Sequence, residues 1–482
     1  MTAVAGVEVS TDHFIGGERV PSAGTFTDLS PIDEAPLAEI ARGGGIEADM
    51  AVGAATEAFP AWAAMGAAGR GETLHRLADL IDANVDSLAA VECLDMAMLL
   101  RSLRARVIGR GARNFRAYAD LAAAYAERTW SSNGTANRVI RRPAGPVVVV
   151  TPWNAPFMLS TWKIAPALAA GCTVILKPAE WSPLSASLLA GLAAEAGFPG
   201  GVLNVVQGIG EEVGAALVAH PGVRRVSLTG SPETGRLIAG AAARNLVPFT
   251  AELGGKGPLV VFADADIEAA ARKAAGQYDD AGQVCLAGTR LLVEESVAEQ
   301  FLELFDRVAD EHVLGDPRDD TTTVSPLIHR EHLARVAGFV DRARAAGDEI
   351  ARGGKVSELG GLWYEPTLVL PASNDSEIVQ REVFGPVLTF QTFGDEDEAV
   401  ALANSTRYGL SAILYTASAE RAERFGRSLR AGTVWANTFL VRDLTAPFGG
   451  IGISGIGREG GDYALDFYSD LQTLQIQEGS TG

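Results

Sequence analysis

Cysteine is scarce, with three in 482 residues, no CxxC pair and no Cys/His cluster. That excludes a disulfide framework and a thiolate zinc site, so no metal is expected. Long hydrophobic runs are also missing. No stretch reaches ~18 uninterrupted apolar residues, so no membrane span is expected. The first ten residues, Met-Thr-Ala-Val-Ala-Gly-Val-Glu-Val-Ser, lack a basic region followed by an apolar run, so no signal peptide is expected. Positive charge is in deficit, with 40 Lys and Arg against 60 Asp and Glu, a net charge of −20. Non-specific nucleic-acid binding needs a basic face, and this balance argues against one. There is no internal repeat and no low-complexity segment. A cytoplasmic location is expected, where reducing conditions keep a thiol free.

What the chain does have is length, apolar content and glycine: 47% apolar residues, 21% charged and 54 Gly. The length exceeds what one hydrophobic core usually holds, so two large domains are expected. Residues 12–42 read as a short β-meander, with turns at Gly16-Gly17 and near Pro31. From about 46 to 126 apolar residues recur at i, i+3 and i+4, the period of a helix. The polar stretch 127–145 reads as an arm. Then the period changes. Pro146-Val-Val-Val-Val-Thr is a strand of β-branched residues, and a loop rich in Pro, Trp and Asn leads to a helix expected from Thr161. Cys172-Thr-Val-Ile-Leu-Lys, Val202-Leu-Asn-Val-Val and Arg225-Val-Ser-Leu-Thr follow as strands between helices. The alternation resumes after 255. Strands that alternate with helices of this length imply a parallel, doubly wound sheet. The pattern predicts two such α/β domains, hinged near 253–256.

Cys93 lies in the helical run Val-Glu-Cys-Leu-Asp-Met and Cys172 in the apolar stretch Ala-Ala-Gly-Cys-Thr-Val; both read as core. Cys285 differs. It sits in Ala-Gly-Gln-Val-Cys-Leu-Ala-Gly-Thr (281–289), where small neighbours let a substrate approach the sulfur. Upstream, Glu252 in Ala-Glu-Leu-Gly-Gly-Lys-Gly (251–257) comes from a separate segment and can serve as a general base. Two glycine patterns complete the set. Gly208-Ile-Gly210-Glu-Glu-Val-Gly214 is one residue off the dinucleotide fingerprint. Gly230-Ser-Pro-Glu-Thr-Gly235 follows a strand and opens a helix that Ser231 could cap, either as a phosphate cradle or as a plain strand–helix turn.

With Thr-Pro-Trp-Asn-Ala-Pro-Phe (151–157), these segments resemble the NAD(P)-dependent aldehyde dehydrogenase superfamily in order and approximate spacing. The resemblance covers nearly the whole chain, from Phe14 to near Tyr468. It implies an α/β fold of two doubly wound parallel-sheet domains, one Rossmann-like, plus a small oligomerisation arm. A cofactor domain is expected over 1–126 and 146–253, a catalytic domain over 254–460 and an arm over 127–145 and 461–482. A homodimer or homotetramer is implied. For the chemistry, the resemblance implies Cys285 as nucleophile, with Asn154 and the Cys285 backbone N–H as oxyanion donors. Glu252 would be the base that activates water, and Lys163 either helps proton movement or forms a structural salt bridge. NAD is the implied cofactor. Thr151, Pro152, Trp153, Gly210, Gly230, Ser231 and Leu253 would surround it, with Lys177 and Glu180 on the adenosine ribose and Glu382 and Phe384 on the nicotinamide ribose. The acidic Glu180 disfavours the 2′-phosphate of NADP.

Two long segments, 153–173 and 441–463, resemble more narrowly the hydroxymuconic-semialdehyde dehydrogenases, including the carboxymethyl type. Such substrates carry carboxylates. Arg442 offers the planar fork that suits one, Arg116 is a second candidate, and Phe157, Met158, Trp162 and Phe448 would line an apolar pocket. A broad-range aryl or aliphatic aldehyde dehydrogenase and a catalytically silent homologue remain as alternatives. One residue departs from the family's pattern: Asp280 stands where Asn is common. An ionised Asp beside Cys285 would raise the thiol pKa, so it either points away or is neutralised.

Overall fold

Val147, Val148 and Val149 are all fully buried, because a β-branched run with no polar face can only be a strand covered on both sides. In the computed structural model of the chain, which describes residues 1–477, Pro146–Val150 lies near the middle of an eight-stranded sheet. Thr173–Lys177 and then Leu203–Val205 pair parallel on one side of it. Arg225–Thr229 and then Phe249–Glu252 pair parallel on the other. The strand order therefore reverses next to Pro146–Val150. In an open α/β sheet, ligands bind beyond the carboxyl ends of the strands at such a switch point. The registers are level there, with Val150 opposite both Lys177 and Leu228, and Thr229 opposite Glu252.

The second domain repeats the scheme. Its seven strands run in the order Glu349–Arg352, Thr367–Leu370, Val387–Phe393, Arg290–Glu294, Pro258–Val261, Ser411–Tyr415 and Thr433–Ala436, and all pair parallel except the first two. The first sheet is parallel only at its centre. The hairpin His13–Ile15 and Glu18–Val20 closes one edge and Gly455–Ile456 the other, both antiparallel. The expected meander is therefore split. Its second half, Thr25–Leu29 with Pro36–Ala41, forms a sheet of its own.

Two further expectations need correction. The helix expected from Thr161 runs Pro156–Ala170, because proline at a first helical position loses no hydrogen bond and its fixed φ suits the helix. The C-terminal arm starts later than 461. Gly455–Ile456 pairs with Phe249–Glu252, and Ala464, Leu465 and Tyr468 are buried in the first domain's core. The arm is the antiparallel sheet of Arg128–Ser132, Thr135–Pro143 and Ser469–Gln477; residues 478–482 lie outside the described residues.

Candidate active site

The chain crosses between the domains through Leu253-Gly-Gly-Lys-Gly, and the two central glycines are dictated by close approach. A Cβ on Gly255 would lie 2.2 Å from the carbonyl oxygen of Cys285. One on Gly254 would lie 2.1 Å from Oε2 of Glu382. Their lack of a side chain lets the Cys285 loop and Glu382 press against the crossing. Cys285 precedes the strand Arg290–Glu294, so it meets the carboxyl ends of the first sheet across the crossing.

A cleft of about 430 Å³ opens between the domains. Pro152, Trp153, Asn154, Gly230, Ser231 and Leu253 line it from the first domain, and Cys285, Glu382 and Phe384 from the second. Ser231 caps the helix Pro232–Arg244, accepting from the Thr234 N–H at 3.0 Å. Thr229, at the end of its strand, presents a buried hydroxyl without a hydrogen-bond partner. One oxygen of Glu382 accepts the Gly255 N–H at 2.7 Å, and burial pushes this carboxyl up to about 7. Lys177, Glu180 and Gly210 gather at the neighbouring strand end. Lys177 Nζ donates to Glu180 Oε2 at 2.9 Å, and a Cβ on Gly210 would be 3.9 Å from both groups. Burial lowers the Lys177 pKa while Glu180 raises it. Thr151 is interior to the site. Its N–H donates to the Lys177 carbonyl at 3.2 Å and its hydroxyl pairs with Ser160.

Cys285 is half-buried in the cleft wall. Burial pushes its thiol up to about 12; Glu382 and Glu252 push the same way, and Arg442 opposes them. Asp280 is not among the groups acting on the sulfur. Its backbone is left-handed (φ 52°), and it interacts with Asp279, Arg106 and Arg101 instead. Glu252 is buried, and neither carboxylate oxygen has a hydrogen-bond partner. Burial and then the charge of Glu459 hold its pKa well above the usual carboxylate range, while Lys163 and Arg442 pull it down. An unpaired buried carboxylate costs stability, which makes Glu252 a candidate functional group. Asn154 donates one amide hydrogen to the Gln283 carbonyl at 2.9 Å, which anchors it and leaves the second free.

Lys163 is fully buried in an ion pair with Glu459, and it also donates to Ser227 Oγ at 3.1 Å. Of the two roles open to it, the structural bridge is made. Glu459 also accepts from Trp162 Nε1 at 2.5 Å, and its backbone exchanges two hydrogen bonds with Phe448. Trp162 and Phe448 are thereby both tied to Glu459. Arg442 lies 3.6 Å over the Phe448 ring and 5.3 Å over Trp162. Arg110 covers the same Trp162 ring at 5.7 Å. Burial, then repulsion from Arg442 and Arg113, lowers Arg110 to about 10. Among the described residues neither Arg110 nor Arg442 makes a salt bridge, although the chain carries excess acid.

Two substrate candidates are corrected. Arg116 is bound to Asp79 and Asp82 at 2.6 Å each, away from the cleft. Phe157 has no exposed surface; it packs in the first core, and its N–H donates to Glu92. Met158 is partly buried against that core. Arg110, not Arg116, lies over the Trp162 ring, and helical phase holds the signal. Arg110 precedes buried Asn114 by one turn and Tyr118 by two, whereas Arg116 sits roughly 200° round the helix from Asn114. Glu459, His332 and Arg335 had no local signature in the sequence.

The aldehyde dehydrogenase family model matches residues 20–474. Among curated proteins, the 2-hydroxymuconic semialdehyde dehydrogenase of Pseudomonas sp. (strain CF600) is 40% identical over 96% of this chain and 99% of its own. Among solved structures, HpcC from Thermus thermophilus superimposes with a TM-score of 0.95 at 45% identity, covering 100% of this chain and 98% of that one. The AldA indole-3-acetaldehyde dehydrogenase of P. syringae, solved in complex with NAD+ and IAA, gives a TM-score of 0.95 at 37% identity, covering 98% and 97%.

Proposed function

The chain belongs to the aldehyde dehydrogenase family, an aldehyde-oxidising oxidoreductase by descent, and from that footing we propose that it oxidises a carboxylate-bearing semialdehyde of the hydroxymuconic type, with NAD as hydride acceptor. The observation that carries the substrate class is the Arg110–Arg442 pair. Two cations over one aromatic ring repel each other, and among the described residues neither makes a salt bridge, so Glu252 and Glu459 offset Arg442 only from a distance. An anionic group on the substrate relieves that repulsion, and the guanidinium fork suits a carboxylate. Arg442 acts electrostatically on both Cys285 and Glu252, so a substrate anchored there has its aldehyde within the reacting region.

The cofactor reading rests on fit. The cleft is flanked by a capped helix N-terminus, the unpartnered Thr229 hydroxyl, the pinned Glu382 and, at the adjoining strand end, Lys177 with Glu180. NAD bound there supplies the hydride acceptor. Glu180 disfavours a 2′-phosphate, and Trp153, Phe384 and Leu253 are positioned as apolar walls.

The Cys285 thiol gives its proton to water, its sulfur attacks the aldehyde carbon, and the carbonyl electron pair moves to oxygen. The free amide hydrogen of Asn154 and the Cys285 N–H stabilise that oxyanion. Loss of hydride from the carbon leaves a thioester on Cys285. Glu252 takes a proton from water, the hydroxide oxygen bonds to the acyl carbon, the C–S bond breaks, and the acid departs. Glu252 has to be ionised for this, and Lys163 favours that form. The arm sheet, with Leu471, Leu474 and Ile476 exposed, supports assembly as a homodimer or homotetramer. A reducing cytoplasm would suit a free nucleophilic thiol. Initial rates of NADH formation across aldehydes of equal length, with and without a distal carboxylate, test the reading. A preference of at least tenfold in kcat/KM for the acids supports it, and a preference for neutral aldehydes refutes it.

A further inference from the structure

The helix Arg330–Ala345 belongs to the second domain, yet its first two turns hold both sides of the cofactor cleft. His329 caps it, with Nδ1 accepting the His332 N–H at 3.1 Å. The His329 ring stacks on Trp181 of the first domain, with centroids 4.1 Å apart and planes at 23°. Trp181 directly follows Glu180, so the stack bridges the two domains beside the Lys177–Glu180 pair.

One turn on, the His332 ring meets Trp153 edge to face at 5.4 Å and Phe384 at 6.1 Å. Its Nε2 lies 2.7 Å from the Phe384 carbonyl oxygen. A carbonyl only accepts, so this nitrogen carries the proton. Burial lowers His332 to about 4, which keeps the ring a neutral donor at ordinary pH. The residue it holds is unusual. Phe384 has a left-handed backbone (φ 62°), a conformation that costs a bulky side chain energy unless its surroundings enforce it. A turn further, Arg335 donates to the Glu382 carbonyl at 2.8 Å.

We propose that this helix start is a latch across the cofactor cleft. His332 is its positioning residue: by holding the Phe384 carbonyl it keeps the segment bearing Glu382 and Phe384 turned into the cleft, and the His329–Trp181 stack keeps the two domains closed over the bound cofactor. The latch governs how long the cofactor stays. This rests on the NAD reading above.

The test is stopped-flow displacement of NADH by excess NAD, followed by NADH fluorescence, with the equilibrium Kd measured alongside. Trp181→Ala and His332→Ala should each speed NADH release roughly two- to tenfold and raise Kd in proportion. Trp181→Phe keeps a ring and His332→Gln keeps a donor, so both should recover most of the loss. Asp341→Asn, at the exposed far end of the helix, should leave release unchanged. If His332→Ala fails to fold, the partly exposed Trp181 variants decide. Release and Kd unchanged in folded alanine variants, or changed equally by Asp341→Asn, overturn the latch. A wild-type protein that binds no NADH overturns the cofactor reading and the latch with it.

Discussion

Removing Arg442 separates recognition of a carboxylate from support of the reacting centre, because the proposed reading gives this residue both tasks. Its guanidinium lies over Phe448 and Trp162 without a carboxylate partner, so an incoming anion would make a charge-assisted hydrogen bond worth about 1.5–3 kcal/mol. Arg442 is only half-buried, and solvent screening favours the lower part of that range. With about 1.4 kcal/mol per factor of ten, Arg442→Ala should cut kcat/KM for a carboxylated aldehyde about ten- to thirtyfold. The same cation also opposes the upward pull on the Cys285 thiol and stabilises ionised Glu252, so a neutral aldehyde loses activity too. That common loss divides out when two aldehydes of equal length are compared, one carboxylated and one neutral. The ratio of the two losses should be about ten or more, carried mainly by KM if binding precedes slow chemistry.

Arg110→Ala should give a ratio of the same sense, and the double variant should fall short of the product of the two singles, because both arginines face one anion. Steady-state NADH production for four proteins and two substrates suffices. Equal losses for the two aldehydes in both single variants would refute the carboxylate reading and leave the arginines as supports for the Trp162 wall.

Cys285→Ser should abolish dehydrogenation while NADH binding by fluorescence is retained, because a hydroxyl is a far poorer nucleophile than a thiolate. Turnover near the wild-type level would remove Cys285 from its role. Glu252→Gln should give one equivalent of NADH in a burst and then a slow steady state; absence of a burst at saturating substrate counts against Glu252 as the hydrolytic base. In the wild type, burial holds the Glu252 pKa above the usual carboxylate range, and the base is the ionised form, so thioester hydrolysis should accelerate as pH rises through that raised pKa. Lys163→Met removes a cation that lowers this pKa and leaves Glu459 unneutralised, so the rise should move to higher pH in single-turnover measurements. Asp280, pushed up to about 6 by burial, is charged in the native state only at a cost that grows as pH rises from its ordinary value and is complete above about 6. Asp280→Asn removes that cost and suits the left-handed backbone, so Tm should rise at pH 8 and change little at pH 4, with alkylation of Cys285 unaffected. A faster alkylation would place Asp280 in the nucleophile's field after all.

Legibility followed the range of the interactions. Cys285 and Glu252 stood out because their loops need small residues: Gly254 and Gly255 are fixed by contacts within ångströms of the atoms they serve. The Lys177–Glu180 pair is three residues apart and could be read from spacing alone. Lys163 could not. Its partner Glu459 lies 296 residues away, and nothing near either residue announces the other. Phe157 was placed with the substrate because its neighbours were, but on a helix adjacent residues point about 100° apart, and its own face is the core. Arg116 failed for the same reason in reverse.

The sequence by itself determined the alternation of strands and helices, the two-sheet architecture, and the loops that bear Cys285 and Glu252, since periodicity and steric room are local properties of the chain. Tertiary structure decided which charges meet. It set Asp280 in the field of Asp279, Arg106 and Arg101, committed Lys163 to Glu459, and brought Arg110 and Arg442 over one indole ring from opposite ends of the chain. Coulomb energy depends on distance and burial, and both exist only once the two domains have closed around the cleft.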